Sequence, residues 1–180
     1  MMKNKALAIL SGAFTLLSAL GCYWLISSNT AFTQSSSQAT VFEFPKAEGY
    51  INDFGKLLTD EEEKSLSKIA ADFEQRTTTQ IAVVTVETTR PFASTEAYAT
   101  KLFNTWGIGQ KDKNNGVLLL IVIEEHTVRI EVGLGLEKSL PNDKCKEILQ
   151  TIVTPRLKEK AFYEAAKNGM QAIINELEKQ

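Results

Sequence analysis

Between Lys113 and Gly135 the chain reads KNNGVLLLIVIEEHTVRIEVGLG. Val117–Ile123 is an unbroken apolar run with no wet face, which predicts a strand buried on both sides. Thr127–Val132 alternates: Val128, Ile130 and Val132 point one way and Thr127, Arg129 and Glu131 the other. Glu124-Glu125-His126 is the charged turn between them, so the two strands form an antiparallel hairpin. A strand covered on both faces needs a layer above it and a layer below. Gly116 stands at the entrance of the hairpin, and Gly133 and Gly135 stand at its exit. Glycines placed there serve either a sharp turn or a close approach of backbone.

The remaining elements supply those layers. Thr59-Asp60-Glu61-Glu62 is a capping box, with acid facing the helix dipole. Leu66, Ile69, Ala70 and Phe73 follow at helical spacing and predict a first helix to about Arg76. Thr79–Glu87 is β-branched and mostly apolar, a buried strand. Pro91 breaks the chain, and Ser94 caps a helix that carries Tyr98, Leu102 and Trp106 on one face. Pro141 opens a helix with Cys145, Ile148, Leu149, Ile152 and Val153 inward, which Pro155 ends or kinks. A last helix, about Phe162–Leu177, carries Ala166, Met170, Ile173 and Leu177 on one stripe. Strand, helix, strand, hairpin and two helices read as a small α/β fold with a mixed sheet, joined by one parallel crossover.

The front of the chain is of another kind. Lys3 and Lys5 precede Ala6–Ile26, 21 uncharged and mostly apolar residues. Residues 1–28 therefore read as a membrane anchor or a signal segment. Three readings fit: an uncleaved anchor with Tyr23 and Trp24 at the far interface, a cleaved signal leaving a secreted or periplasmic protein, and a lipoprotein held through Cys22. All three put the rest outside the cytoplasm. Residues 29–41 are a polar, serine-rich linker, and residues 42–180 form the folded domain. Without the first 40 residues the chain has 18 bases against 22 acids, with no basic stripe. That argues against nucleic acid as a partner.

The hairpin geometry gathers candidate site residues. If the crossover is parallel, Gly133-Leu134-Gly135 lies beside Asn114-Asn115-Gly116. The loop Gly107–Asn115 and the triplet Thr77-Thr78-Thr79 reach the same rim. Asp112, Asn114, Asn115, Glu131 and Glu137 offer it carboxylates and amides, which suit a hard cation such as Ca²⁺ rather than zinc or copper. Asp112–Gly116 is not an EF-hand start, since its glycine comes one residue early and position 12 would be Ile123. Gly107-Ile108-Gly109 lacks the third glycine of a dinucleotide loop, and no GxSxG occurs. His126, the single histidine, sits on the hairpin turn at the opposite end, as a solvated tip with Glu124 and Glu125. Cys145 lies between Lys144 and Lys146, which favours a thiolate, while its place on an inner helix face favours a buried thiol.

Several blocks together resemble the TPM domain: Gly49-Tyr50-Ile51-Asn52-Asp53-Phe54, Leu57-Leu58-Thr59, Thr79–Val84, Phe103–Gly109, Asn115–Leu120, Arg129–Glu137 and Ile152-Val153-Thr154-Pro155. The resemblance covers about residues 44 to 178. It implies a three-layer α/β/α sandwich outside the cytoplasm, with acidic residues in a cleft that bind calcium in some members. Carried over residue by residue, it implies a metal site from Asp53, Asn115, Gly133, Gly135 and Glu137, with Asp112 from the variable loop. Gly116 belongs to the same rim. The function so implied is a membrane-tethered accessory domain, non-catalytic, that binds Ca²⁺ and a protein partner. The alternative it implies is a metal-assisted acid phosphatase. Pro141 departs from the family, which commonly has a polar cap there.

Overall fold

The apolar run of the hairpin is the strand on which both layers pack. The computed structural model describes residues 42–179. The sheet has four strands: β1 (Ile51–Asp53), β2 (Gln80–Val86), β3 (Gly116–Val122) and β4 (Thr127–Val132), in that spatial order. Every residue of β3 is buried. β1 and β3 both run parallel to β2, while β4 runs antiparallel to β3. The expectations for residues 1–28, the linker and Cys22 lie outside the described residues. Among those described, no helix is long and apolar enough to cross a membrane.

Side-chain alternation divides the core in two. On one face Ile81, Val83, Val117, Leu119, Ile121 and Ile130 meet helices α1 (Asp60–Thr77), α3 (Asn142–Ile148) and α5 (Phe162–Leu177). On the other, Ala82, Val84, Leu118, Leu120 and Val122 meet helix α2 (Thr95–Trp106). Each large side chain buried there contributes about 1.5–3 kcal/mol. Phe42, Phe44, Phe92 and Tyr98 extend the second core, Phe44 and Phe92 stacked and the other pairs edge-to-face, with ring centroids 5.1–6.2 Å apart. The described domain is an α/β/α sandwich.

Both predicted caps form. The Thr59 hydroxyl accepts from Glu62 N–H while the Glu62 carboxylate accepts from Thr59 N–H, and Ser94 accepts from Ala97 N–H. Two elements differ from the sequence reading. β1 adds a strand, and with it a second parallel crossover through α1. Pro155, for its part, neither ends nor simply kinks its helix. A π-turn at Leu149–Val153, closed by Thr154 N–H donating to Leu149 O, carries α3 on into α4 (Thr154–Lys158). Pro155 has no N–H to give, and the wider turn absorbs the loss. The extra residue advances the helical phase, so Val153 is buried and Ile152 moves out to half-exposure.

Candidate binding site at the loop end of the sheet

The rim expected from the hairpin exists, and backbone holds it together. Gly133 N–H donates to Gly116 O at 2.8 Å and Gly135 N–H to Asn114 O at 3.0 Å. A Cβ on Gly133 would lie 2.2 Å from Asn114 O, and one on Gly135 2.0 Å from Lys113 O. The loop before β3 and the turn after β4 thus lie closer than any side chain allows. Close approach, not a positive φ, is why these two are glycine. The turn they frame is a short 3₁₀ helix, Leu134–Leu136. Leu134 stands on it 74% exposed.

Asn115 is the polar centre of the rim. It is buried, with its side-chain oxygen accepting from Gln110 N–H and its side-chain nitrogen donating to Thr78 O, both at 2.8 Å. Its own carbonyl accepts from Gln80 N–H at 3.1 Å. Lys113 Nζ donates to Thr78 Oγ1 at 3.0 Å. The Thr77–Thr79 corner, the long loop and the β4 exit therefore form one rigid block. Asp112 and Glu137 are exposed on it.

Asp53 is elsewhere. It pairs with Thr85, five positions along β2 from Gln80, whereas Gly116 pairs with Gln80 itself. At about 3.3 Å per residue that is about 16 Å. One Asp53 oxygen accepts from Leu58 N–H at 2.7 Å and the other from the Thr85 hydroxyl, which in turn accepts from Gly55 N–H at 3.0 Å. Asp53 thus ties the end of β1 to the approach of α1. Its neighbourhood is acidic: burial first, and then Asp53, Asp60 and Glu48, push the Glu63 carboxyl above its ordinary value.

Calcium takes six to eight oxygens. Of the six residues implied for it, the structure brings five to the loop end and places Asp53 at the other. Among the five, the Asn115 amide is spent on the loop and Gly133 O accepts from Leu136 N–H at 2.8 Å. Asp112 and Glu137 remain as carboxylates. Among the described residues, no three His, Cys, Asp or Glu side chains gather as a metal group. As arranged, the six residues do not fit a single Ca²⁺ coordination set.

The remaining candidates also find places. The hairpin tip is pinned rather than simply solvated. Glu125 accepts from Thr88 Oγ1 at 2.8 Å and from Thr89 N–H at 3.0 Å, and these bonds hold its carboxyl below its ordinary value. His126 is exposed at φ 50°. Glu131 lies on the α2 side, accepting from Thr100 and Arg129. Cys145 is buried, and desolvation pushes its thiol up to about 11, against the thiolate reading.

Sequence reasoning missed a cleft beside the rim. It is about 330 Å³ in volume and lies between the start of β2 and the end of α2, with Tyr50, Glu74, Gln80, Ile81, Trp106 and Ile108 in its lining. β1 begins at Ile51 opposite Val83, leaving Gln80–Ala82 without a β1 neighbour. The unclaimed space is the cleft. Across it runs a hydrogen-bond chain. Gly109 N–H donates to Gln80 Oε1 at 2.7 Å, Gln80 Nε2 to Glu74 Oε1 at 2.8 Å, and Tyr50 O–H to Glu74 Oε2 at 2.6 Å. The bond to Glu74, then burial, raise the Tyr50 phenol above its ordinary value.

Fold and site together define a mixed-sheet α/β/α sandwich with a backbone-locked loop end. Residues 51–176 match the model of the TPM domain, and the chain belongs to that family. Solved structures share the fold. The N-terminal domain of a protein from P. gingivalis is 28% identical, with a TM-score of 0.66 over 72% of this chain and 82% of that one. The BA42 protein of Bizionia argentinensis is 23% identical, with a TM-score of 0.59 over 68% and 82%. The N-terminal domain of the cg2496 protein of Corynebacterium glutamicum is 12% identical, with a TM-score of 0.57 over 74% and 84%. No curated protein matches the chain significantly.

Proposed function

We propose that this TPM domain is a membrane-tethered, extracytoplasmic accessory module, non-catalytic, which docks a protein partner through the loop end of its sheet. The observation that carries this is Leu134. A leucine 74% exposed stands on a turn that the flanking glycines lock, by backbone contact, to the opposite loop. A rigid apolar side chain held in water is preorganised for a partner and loses little freedom on docking. Calcium enters the proposal through Asp112 and Glu137 alone, as a cation held at the rim together with oxygens of the partner. The phosphatase alternative gains nothing from the Asp53–Thr85 couple, because Thr85 is buried and holds Gly55.

The test is the size of the native complex. Membranes carrying the full chain are solubilised in mild detergent and resolved by native electrophoresis. The wild type should run as a complex and Leu134→Asp as the free chain. Glu125→Lys, at the opposite end of the sheet, should leave the complex intact. A wild-type chain that runs alone, or a complex indifferent to Leu134→Asp, would sink the reading.

A further inference from the structure

The cleft beside the rim has a chemistry of its own. Glu74 lies half-buried in its wall, and each of its oxygens accepts one hydrogen bond, from Gln80 and from Tyr50. A carboxylate accepts about four, so both oxygens keep a free lone pair. Among the described residues, no lysine or arginine pairs with Glu74. A half-buried, fixed and unpaired negative charge favours a cation from outside. Ala82, Ile108 and Trp106, which share the α2 face of the sheet, give the lining an apolar wall, and Ala47, Gly49 and Gly107 lie beside them. An aliphatic stem is at home there, and an indole attracts a cation.

We propose that this cleft binds a primary alkylammonium group, its charge on the Glu74 carboxylate and its stem along Ala82 and Ile108 beside Trp106. Tyr50 and Gln80, themselves in the lining, hold the carboxylate in place. Each oxygen keeps a lone pair, and a compact ammonium on a flexible stem needs only one of them. Two sources supply such a group, a free amine and a lysine side chain of a partner. The inference extends the binding reading to a second contact, at the same end of the sheet as Leu134 but independent of it.

The full chain in maltoside micelles is titrated with Nα-acetyl-lysine amide and followed by saturation-transfer NMR and calorimetry. Saturable binding at about 1–10 mM is expected, the range of a single ion pair with one short stem. The norleucine analogue should bind at least about tenfold more weakly, tenfold being about 1.4 kcal/mol. Glu74→Gln, which retains an amide oxygen for Gln80, should weaken lysine amide by at least about tenfold at an unchanged melting temperature. Trp106→Leu provides a second variant and should weaken it several-fold. No binding by the wild type, equal binding of norleucine, or unchanged affinity in both variants would overturn the proposal. Pentylamine separates the sources: binding equal to lysine amide indicates a free amine, and weaker binding indicates a lysine within a chain. Failure here leaves the Leu134 reading standing, because that reading is judged by complex size.

Discussion

The two ends of the sheet are closed by different chemistry. At the loop end, backbone meets backbone: Gly133 and Gly135 press on Asn114 O and Lys113 O, and a single buried asparagine ties the long loop to the Thr77–Thr79 corner. At the other end, side-chain carboxylates do the tying. Asp53 holds Leu58 and Thr85, and Glu125 holds Thr88 and Thr89. A carboxylate engaged in holding a loop has fewer lone pairs left for a cation or a substrate. The backbone-locked end keeps its carboxylates, Asp112 and Glu137, and its one prominent leucine free for the outside. Which acidic residues can bind is therefore set by the bonds they already make and not by residue type alone.

The sharpest break in that comparison is steric. Gly133→Val puts a branched side chain where a carbonyl oxygen already lies, and overpacking of this kind costs about 3 kcal/mol. Urea unfolding should show the loss, and a variant as stable as wild type would mean that the rim is looser than described. Asp53→Ala comes next. It leaves Leu58 N–H and the Thr85 hydroxyl short of a partner, at about 1–3 kcal/mol. Any calcium response at Asp112 and Glu137 should persist in Asp53→Ala with the same midpoint; its disappearance would return Asp53 to the cation site.

A smaller effect lies in alkali. The Cys145 thiol is raised from 9.0 to about 11 by burial, so its folded form favours the proton more than the unfolded form does. The stability this contributes is fully present below the ordinary thiol value and is lost as pH rises through about 11. Between those limits the wild type should lose stability faster than Cys145→Ala, as read from unfolding midpoints across pH. Parallel curves would contradict the burial of this thiol.

Much of this architecture was legible from residue order. The hairpin, the capping box, the Ser94 cap and the last helix announced themselves, because periodicity and caps are local signals. Parallel pairing of β2 and β3 then forced the glycines onto one rim. β1 was not legible: Asn52 and Asp53 are poor strand formers, and three residues show no period. It exists because β2 offers an edge and because the Asn52 side chain holds the preceding turn, accepting from Glu48 N–H and donating to Gly49 O. Missing β1 hid both the true place of Asp53 and the cleft at Glu74. Nor does residue type tell a free Asn115 from a spent one, since its partners, Gln110 and Thr78, belong to separate segments. The flanking glycines were a usable signal for Leu134, because a turn locked at both sides must show its middle residue.

The most direct test compares the ends in place. A photoreactive amino acid is introduced at Leu134 in one full-length chain and at Glu125 in another, and both are irradiated in native membranes. The account predicts one discrete cross-linked species from position 134, lost when the partner-containing complex is dissociated, and none from position 125. A discrete species from position 125 with none from 134 would contradict it.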